Sequence, residues 1–187
     1  MSQDIKMVAV DIDGTFVHAD YTYDKPRFRR ILSRMNEAGC RFVVASGNQY
    51  YQLRDLFPGY YDELSFVAEN GAFVKDRTEL VFAAEMPDET VNEIIDLCRE
   101  YPEIQNVMCG LESAYCQKGE VDGEFFEKTK IYYHRLKWTD DFKKVKDQIL
   151  KFAPTVPDEK TYYYYDIFRE RLAGKAEPTT SGHGSID

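Results

Sequence analysis

Two rhythms of apolar residues alternate along the first third of the chain. Met7-Val8-Ala9-Val10 is continuously apolar and stops at Asp11-Ile12-Asp13-Gly14-Thr15, the pattern of a strand buried on both faces of a parallel sheet. A polar stretch, His18 to Asp24, follows. Phe28, Ile31, Leu32, Met35 and Ala38 then recur at helical spacing, with Asp24 placed to cap the helix, Pro26 in its first turn and Gly39 at its end. Arg41-Phe42-Val43-Val44-Ala45 reads as the next buried strand. Strand, amphipathic helix and strand predict a βαβ unit with parallel strands and a right-handed crossover.

The second strand runs into Ser46-Gly47-Asn48, and Gln49 to Phe57 predicts a short helix stopped by Pro58-Gly59. Ser65-Phe66-Val67-Ala68-Glu69 is a third strand. Asn70-Gly71 reads as a hairpin turn, with Ala72-Phe73-Val74 and Leu80-Val81-Phe82 forming the ribbon beyond it. From about Ala84 the character changes. A helix opens at Pro87-Asp88 with Val91, Ile94, Ile95 and Cys98 on one face. Strand pieces follow at Asn106 to Gly110 and Ser113 to Cys116, then a helix from Val121 to Thr129, a strand at Ile149 to Val156 and a helix from Thr161 to Ala173. This mixture predicts a small α+β module. The run Tyr162 to Tyr165 cannot lie on one helix face, so some of these rings pack and others face solvent.

Charge narrows the function classes. The 187 residues carry a net charge of -9, a field that repels nucleic acid and anionic membrane surfaces. No apolar stretch approaches the roughly 20 residues that span a bilayer, and Met1-Ser2-Gln3-Asp4 does not open like a signal peptide. Cys40, Cys98, Cys109 and Cys116 form no C-x-x-C pair and fall among core-like residues, which fits reduced thiols in a cytoplasm. With three scattered histidines, a zinc site is not expected.

The candidate chemistry lies where the first two strands end. Ends of neighbouring parallel strands point the same way, so Ser46 is expected beside Asp11 and Asp13 at the carboxyl edge of the sheet, where open α/β folds place their ligands. A hydroxyl and glycine-exposed N–H groups make a phosphate cradle. Asp-x-Asp is open to three readings: a polar strand terminus, an acidic metal pocket, or a nucleophile paired with a general acid. In the third, Asp11 attacks phosphorus and Asp13 protonates the leaving oxygen and then activates water. Magnesium suits an oxygen-rich site of one or two carboxylates and offsets their repulsion of a phosphate.

Asp11-Ile12-Asp13-Gly14-Thr15 resembles the first motif of the haloacid dehalogenase-like phosphatases, and Ser46-Gly47-Asn48 their second. Phe42 to Leu53 and Phe66-Val67-Ala68-Glu69-Asn70-Gly71-Ala72 are similar to the Cof-type branch, and within it to bacterial sugar-phosphate phosphatases. Weaker likeness continues through Cys109 to Tyr115, Tyr133 to Lys137 and Thr180-Ser181-Gly182. The resemblance implies an α/β fold, with a Rossmann-like parallel sheet core and an inserted α+β cap domain, and magnesium-dependent hydrolysis of a small phosphorylated substrate such as a sugar phosphate. By motif match, Asp11 is nucleophile and Mg2+ ligand. Asp13 is acid/base and gives its backbone carbonyl to the metal. Ser46, Gly47 and Asn48, with Ile12, Gly14 and Thr15, form the phosphate-binding set.

The interval from Asp11 to Ser46 is too short to house a domain, so the cap is expected after the second motif. This gives residues 1–83 as the N-terminal part of the core, 84–182 as the cap and 183–187 as the start of a return to the core. The family's later lysine and its acidic Gly-Asp strand end are not found. The expectation is therefore a core incomplete at its C-terminus, with weak or no hydrolysis by this chain and an exposed apolar edge open to self-association. Two alternatives stand beside hydrolysis: a non-catalytic phospholigand-binding or interaction fragment, and a sugar phosphomutase, whose familiar layout has its cap between the first two motifs.

Overall fold

A computed structural model describes residues 5–187, which divide into two compact units with the boundary between Ala83 and Ala84. The reading of Met1-Ser2-Gln3-Asp4 as no signal peptide lies outside the described residues.

The first unit is a five-stranded sheet of order β1-β2-β3-β4-β5. Its elements are β1 (Met7–Asp11), α1 (Lys25–Glu37), β2 (Arg41–Ala45), α2 (Tyr50–Asp55), β3 (Ser65–Ala68), β4 (Phe73–Asp76) and β5 (Glu79–Ala83). β1, β2 and β3 run parallel, whereas β4 and β5 add antiparallel. The helix α1 forms where its apolar spacing requires. Its Asp24 cap accepts a hydrogen bond from Arg27 N at 2.9 Å, and Gly39 leaves it in the left-handed region at φ +66°. An aromatic cluster fills the space between α1 and the sheet: the Phe16 ring lies within 6 Å of Tyr23, Phe28, Phe42 and Phe57.

Two expectations are corrected here. β2 is a buried strand, but β1 is not buried on both faces: Met7 and Val8 are exposed. The reason is position. Among the described residues, β2 is the one strand that flanks β1, so the apolar run sits at a sheet edge. Asn70-Gly71, read as a two-residue hairpin turn, instead belongs to a four-residue connection, since Ala68 pairs with Phe73. Glu69, Asn70 and Gly71 all take left-handed φ values of 52°, 55° and 91°. The two-residue turn of the ribbon is the next one, Arg77-Thr78, between paired Asp76 and Glu79.

The second unit is a six-stranded sheet of order β10-β11-β9-β6-β7-β8. It comprises α3 (Asp88–Arg99), β6 (Gln105–Gly110), β7 (Ala114–Gln117), α4 (Gly123–Thr129), β8 (Leu136–Thr139), β9 (Ile149–Thr155), α5 (Thr161–Arg171), β10 (Thr180–Gly182) and β11 (Ser185–Ile186). Side chains of α3 and α5 share one core with Met108, Tyr115 and Phe152. Phe126 of α4 joins Val107, Cys109, Ala114 and Cys116, whose places alternate with Met108 and Tyr115 along the strands. The sheet is therefore covered on both faces.

Residues 183–187, expected to begin a return to the first unit, instead stay in this sheet. β11 pairs antiparallel with both β10 and β9, and Ile186 is 1% exposed. In α5, Tyr164 is buried whereas Tyr162 and Tyr163 face solvent. All four cysteines are buried thiols. Among the described residues, no helix is long and apolar enough to cross a membrane.

Candidate active site

The parallel register sets the site. Asp11, the last residue of β1, lies opposite Ala45, the last residue of β2. The two loops that carry chemistry, Ile12 to Val17 and Ser46 to Gln49, therefore leave the sheet side by side. Ile12 anchors the first: its side chain is fully buried, and its carbonyl oxygen accepts from the N–H groups of Thr15, Phe16 and Val17 at 3.4, 3.1 and 3.1 Å. With Ile12 pointing inward, Asp11 and Asp13 on either side of it are exposed, as are Gly14 and Thr15. The strand alternation thus carries through the motif and sets both carboxylates outward. Gly14 makes the turn possible at φ +70°, a conformation that costs other residues a Cβ clash.

The second loop is tied to the sheet and to the first loop. Ser46 N donates to Val67 O at 3.0 Å, and Glu69 N donates to Asn48 O at 3.1 Å. Asn48 N donates to Ser46 Oγ at 3.1 Å. That bond uses an acceptor position on the hydroxyl and leaves its O–H directed elsewhere, so Ser46 can act as a donor to an anion. Asn48 also donates from Nδ2 to Asp13 Oδ2 at 2.9 Å. The helix α2 behind this loop has six residues and no side-chain cap, so the cradle consists of the loop's own groups rather than a helix dipole.

Of the residues singled out from sequence, Asp11 ends β1, and Ile12, Asp13, Gly14, Thr15, Ser46, Gly47 and Asn48 lie on these two loops. The structure joins them through the Asp11–Ala45 register and the Asn48–Asp13 bond. Sequence reasoning left Asn70 to turn geometry, yet its side chain lies against Gly47: a Cβ on residue 47 would come within 2.5 Å of Asn70 Oδ1. Three left-handed residues in a row produce that approach, and the Asn-Gly pair was the available sign of them.

Among the described residues, no group of three or more His, Cys, Asp or Glu side chains could enclose a metal. The donor set at the strand end is two exposed carboxylates and backbone oxygens, all hard ligands. Magnesium fits this set, because it binds through one or two carboxylates and completes its shell with water and phosphate oxygens. A zinc or copper site, which calls for nitrogen or sulfur, does not fit. Elsewhere in the molecule, the acid pairs of the second unit have structural employment. Asp122 caps α4 by accepting from Phe125 N at 2.7 Å, Asp140 pairs with Lys118 at 2.8 Å, and Asp141 accepts from Lys143 N at 3.1 Å.

Comparison with known proteins accords with this geometry. A family model described as haloacid dehalogenase-like hydrolase matches residues 8–187. The 5-amino-6-(5-phospho-D-ribitylamino)uracil phosphatase YbjI of Escherichia coli is 37% identical over 183 residues, covering 98% of this chain and 67% of that protein. Among solved structures, SMU.1108c from Streptococcus mutans superposes with a TM-score of 0.90 at 31% identity, over 98% of this chain and 69% of the other. A subclass IIB sugar phosphatase shares the fold at a TM-score of 0.68 and 15% identity, over 97% and 68% of the two chains. The chain belongs to the haloacid dehalogenase-like hydrolases, among their phosphatases.

Proposed function

We propose that the chain is a magnesium-dependent phosphomonoester hydrolase that works through an aspartyl-phosphate on Asp11. The observation that carries this reading is the side-by-side exit of the two loops, with Asp11 opposite Ala45 and Asn48 bonded to Asp13. A carboxylate oxygen of Asp11 attacks phosphorus and the bond from phosphorus to the leaving oxygen breaks, while Asp13 gives that oxygen a proton. Water then attacks the acyl phosphate, Asp13 takes its proton, and phosphate leaves with Asp11 restored. The Ser46 hydroxyl and the backbone around Gly47 and Asn48 face the phosphoryl oxygens, with the Ile12, Gly14 and Thr15 backbone on the opposite side. Magnesium would be held by the Asp11 side chain and the Asp13 carbonyl, and when bound it offsets the repulsion between carboxylate and phosphoryl group.

For substrate, we infer a small phosphorylated polyol or sugar. The support is the 37% identical relative, whose name specifies a phosphorylated ribityl chain. In this reading the second unit serves as the cap that selects the leaving group, and the four buried thiols suit a reducing cytoplasm. The exposed apolar edge of β1 supports self-association as a secondary property. Brief incubation with p-nitrophenyl phosphate and magnesium, followed by acid quenching and peptide mass spectrometry, tests the central step. A phosphoryl adduct on the Asp11 peptide, absent in Asp11→Asn, is the expected result. No adduct on the Asp11 peptide, or the same adduct in Asp11→Asn, would overturn the reading, whereas slow phosphate release accords with the weak hydrolysis expected of this chain.

A further inference from the structure

Resting on the site proposed above, a second positioning element can be assigned. Glu69, Asn70 and Gly71 form a short left-handed turn, and two of the three are not glycine. Left-handed conformations carry a steric penalty for residues with a Cβ, and such strain persists where the surroundings enforce it. Here they do so from the phosphate-receiving loop. The turn's first N–H, from Glu69, donates to Asn48 O at 3.1 Å. Its second residue sets Asn70 Oδ1 where a Cβ on residue 47 would lie only 2.5 Å away, and Asn70 Cγ 3.4 Å away. Gly47 itself has an ordinary backbone φ, outside the left-handed region. Glycine at 47 is thus required by the approach of Asn70 rather than by its own backbone conformation.

We propose that Asn70 is a positioning residue for the phosphate cradle: its side chain occupies the space beside Gly47 and fixes the course of the Gly47-Asn48 backbone. The same contact extends one step further, because Asn48 carries the amide that bonds Asp13. The turn therefore links the cradle to the acid/base through Asn70, Gly47 and Asn48. Turn chemistry alone is the competing explanation, since asparagine tolerates the left-handed region better than most residues.

Asn70→Gly separates the two, because glycine keeps the turn and deletes the side chain. The probe is inorganic phosphate, titrated calorimetrically against the 187-residue protein in magnesium. Asn70→Gly should leave the thermal midpoint unchanged or raised and weaken phosphate binding about tenfold, the effect of a cradle displaced by a fraction of an ångström. Gly47→Ala should also weaken binding, and Gly47→Ala/Asn70→Gly should recover part of that loss because the 2.5 Å conflict is gone. Wild-type affinity in Asn70→Gly, or no recovery in the double variant, overturns the role of Asn70. Ser46→Ala distinguishes this from failure of the site itself. If Ser46→Ala weakens binding and Asn70→Gly does not, Asn70 alone is wrongly assigned. If the wild type binds no phosphate, or Ser46→Ala leaves its binding unaltered, the phosphatase site and the positioning role fall together.

Discussion

Asn48 donates its side-chain amide to the carboxylate of Asp13 across 2.9 Å, joining the end of one parallel strand to the end of its neighbour. The bond restrains the side chain of the proposed acid/base in one rotamer. Both partners are accessible to solvent, so the restraint rather than the bond energy is the larger effect. Asn48→Ala should slow phosphate release by about tenfold, a fraction of the 10²–10⁴ that general acid–base catalysis contributes. Asp13→Asn should cost most of that range. The measurement is the decay of phosphorylated Asp11 after rapid mixing and quenching. Equal decay in wild type and Asn48→Ala would remove Asn48 from the account.

The aromatic cluster under the same loops sets the stability of the first unit. Phe57 is fully buried and touches the rings of Phe16, Tyr23, Phe28 and Phe66. Phe57→Ala removes a large side chain from a packed space that cannot fully collapse, at a cost of about 3–5 kcal/mol. Urea unfolding followed by circular dichroism should show the midpoint fall with the second unit unaffected. Phe57→Leu, which keeps most of the volume, should lose much less.

What the sequence disclosed, and what it concealed, follows from where the determining contacts lie. The βαβ unit, the Asp11-Ile12-Asp13 strand end and the Ser46-Gly47-Asn48 loop were legible because local patterns define them: continuous apolar runs, an Asp24 cap and a glycine after α1. The exposure of Met7 and Val8 was not legible from β1 itself. An apolar run reads the same in mid-sheet and at an edge, and only strand order decides. β8 escaped notice because Leu136-Lys137-Trp138-Thr139 lies at a sheet edge with both middle residues exposed, so no alternation marks it. β10 and β11 span three and two residues, too short for any period. Asn70 reads in the sequence as a turn residue that could also touch ligand, and its place beside Gly47 is not legible because that contact lies with a different loop.

The cysteines should be inert while the protein is folded. Burial pushes the thiols of Cys98 and Cys116 up to about 12, with the nearby Glu120 charge adding to the effect at Cys98. At about pH 8 a thiol with that value is thiolate in only about one molecule in ten thousand, and the thiolate is the reactive species. Iodoacetamide should therefore label neither residue in native protein and both after urea denaturation, as read by intact-mass spectrometry. Rapid native labelling at Cys98 or Cys116 would show that their part of the second unit opens locally.

The acid limb of stability in the second unit should depend on Glu103. Its carboxylate accepts from the Tyr164 hydroxyl at 2.5 Å and from Lys160 Nζ at 2.9 Å. Those two bonds, the tyrosine's foremost, hold its pKa down to about 2. An unfolded chain returns it to the ordinary glutamate value of about 4.3. A carboxyl depressed by folding stabilises the folded state above the unfolded value, and that contribution fades as pH falls from about 4.3 towards 2. Tyr164→Phe keeps the buried ring and deletes the hydroxyl, so it removes the leading cause of the depression. Calorimetric melting at a series of pH values should show the variant's second unit melting below wild type at neutral pH. The gap should narrow between about pH 5 and pH 2 as Glu103 protonates. A gap that stays constant across that range would mean that Tyr164 stabilises the unit through packing alone and that its hydroxyl leaves the Glu103 titration unchanged.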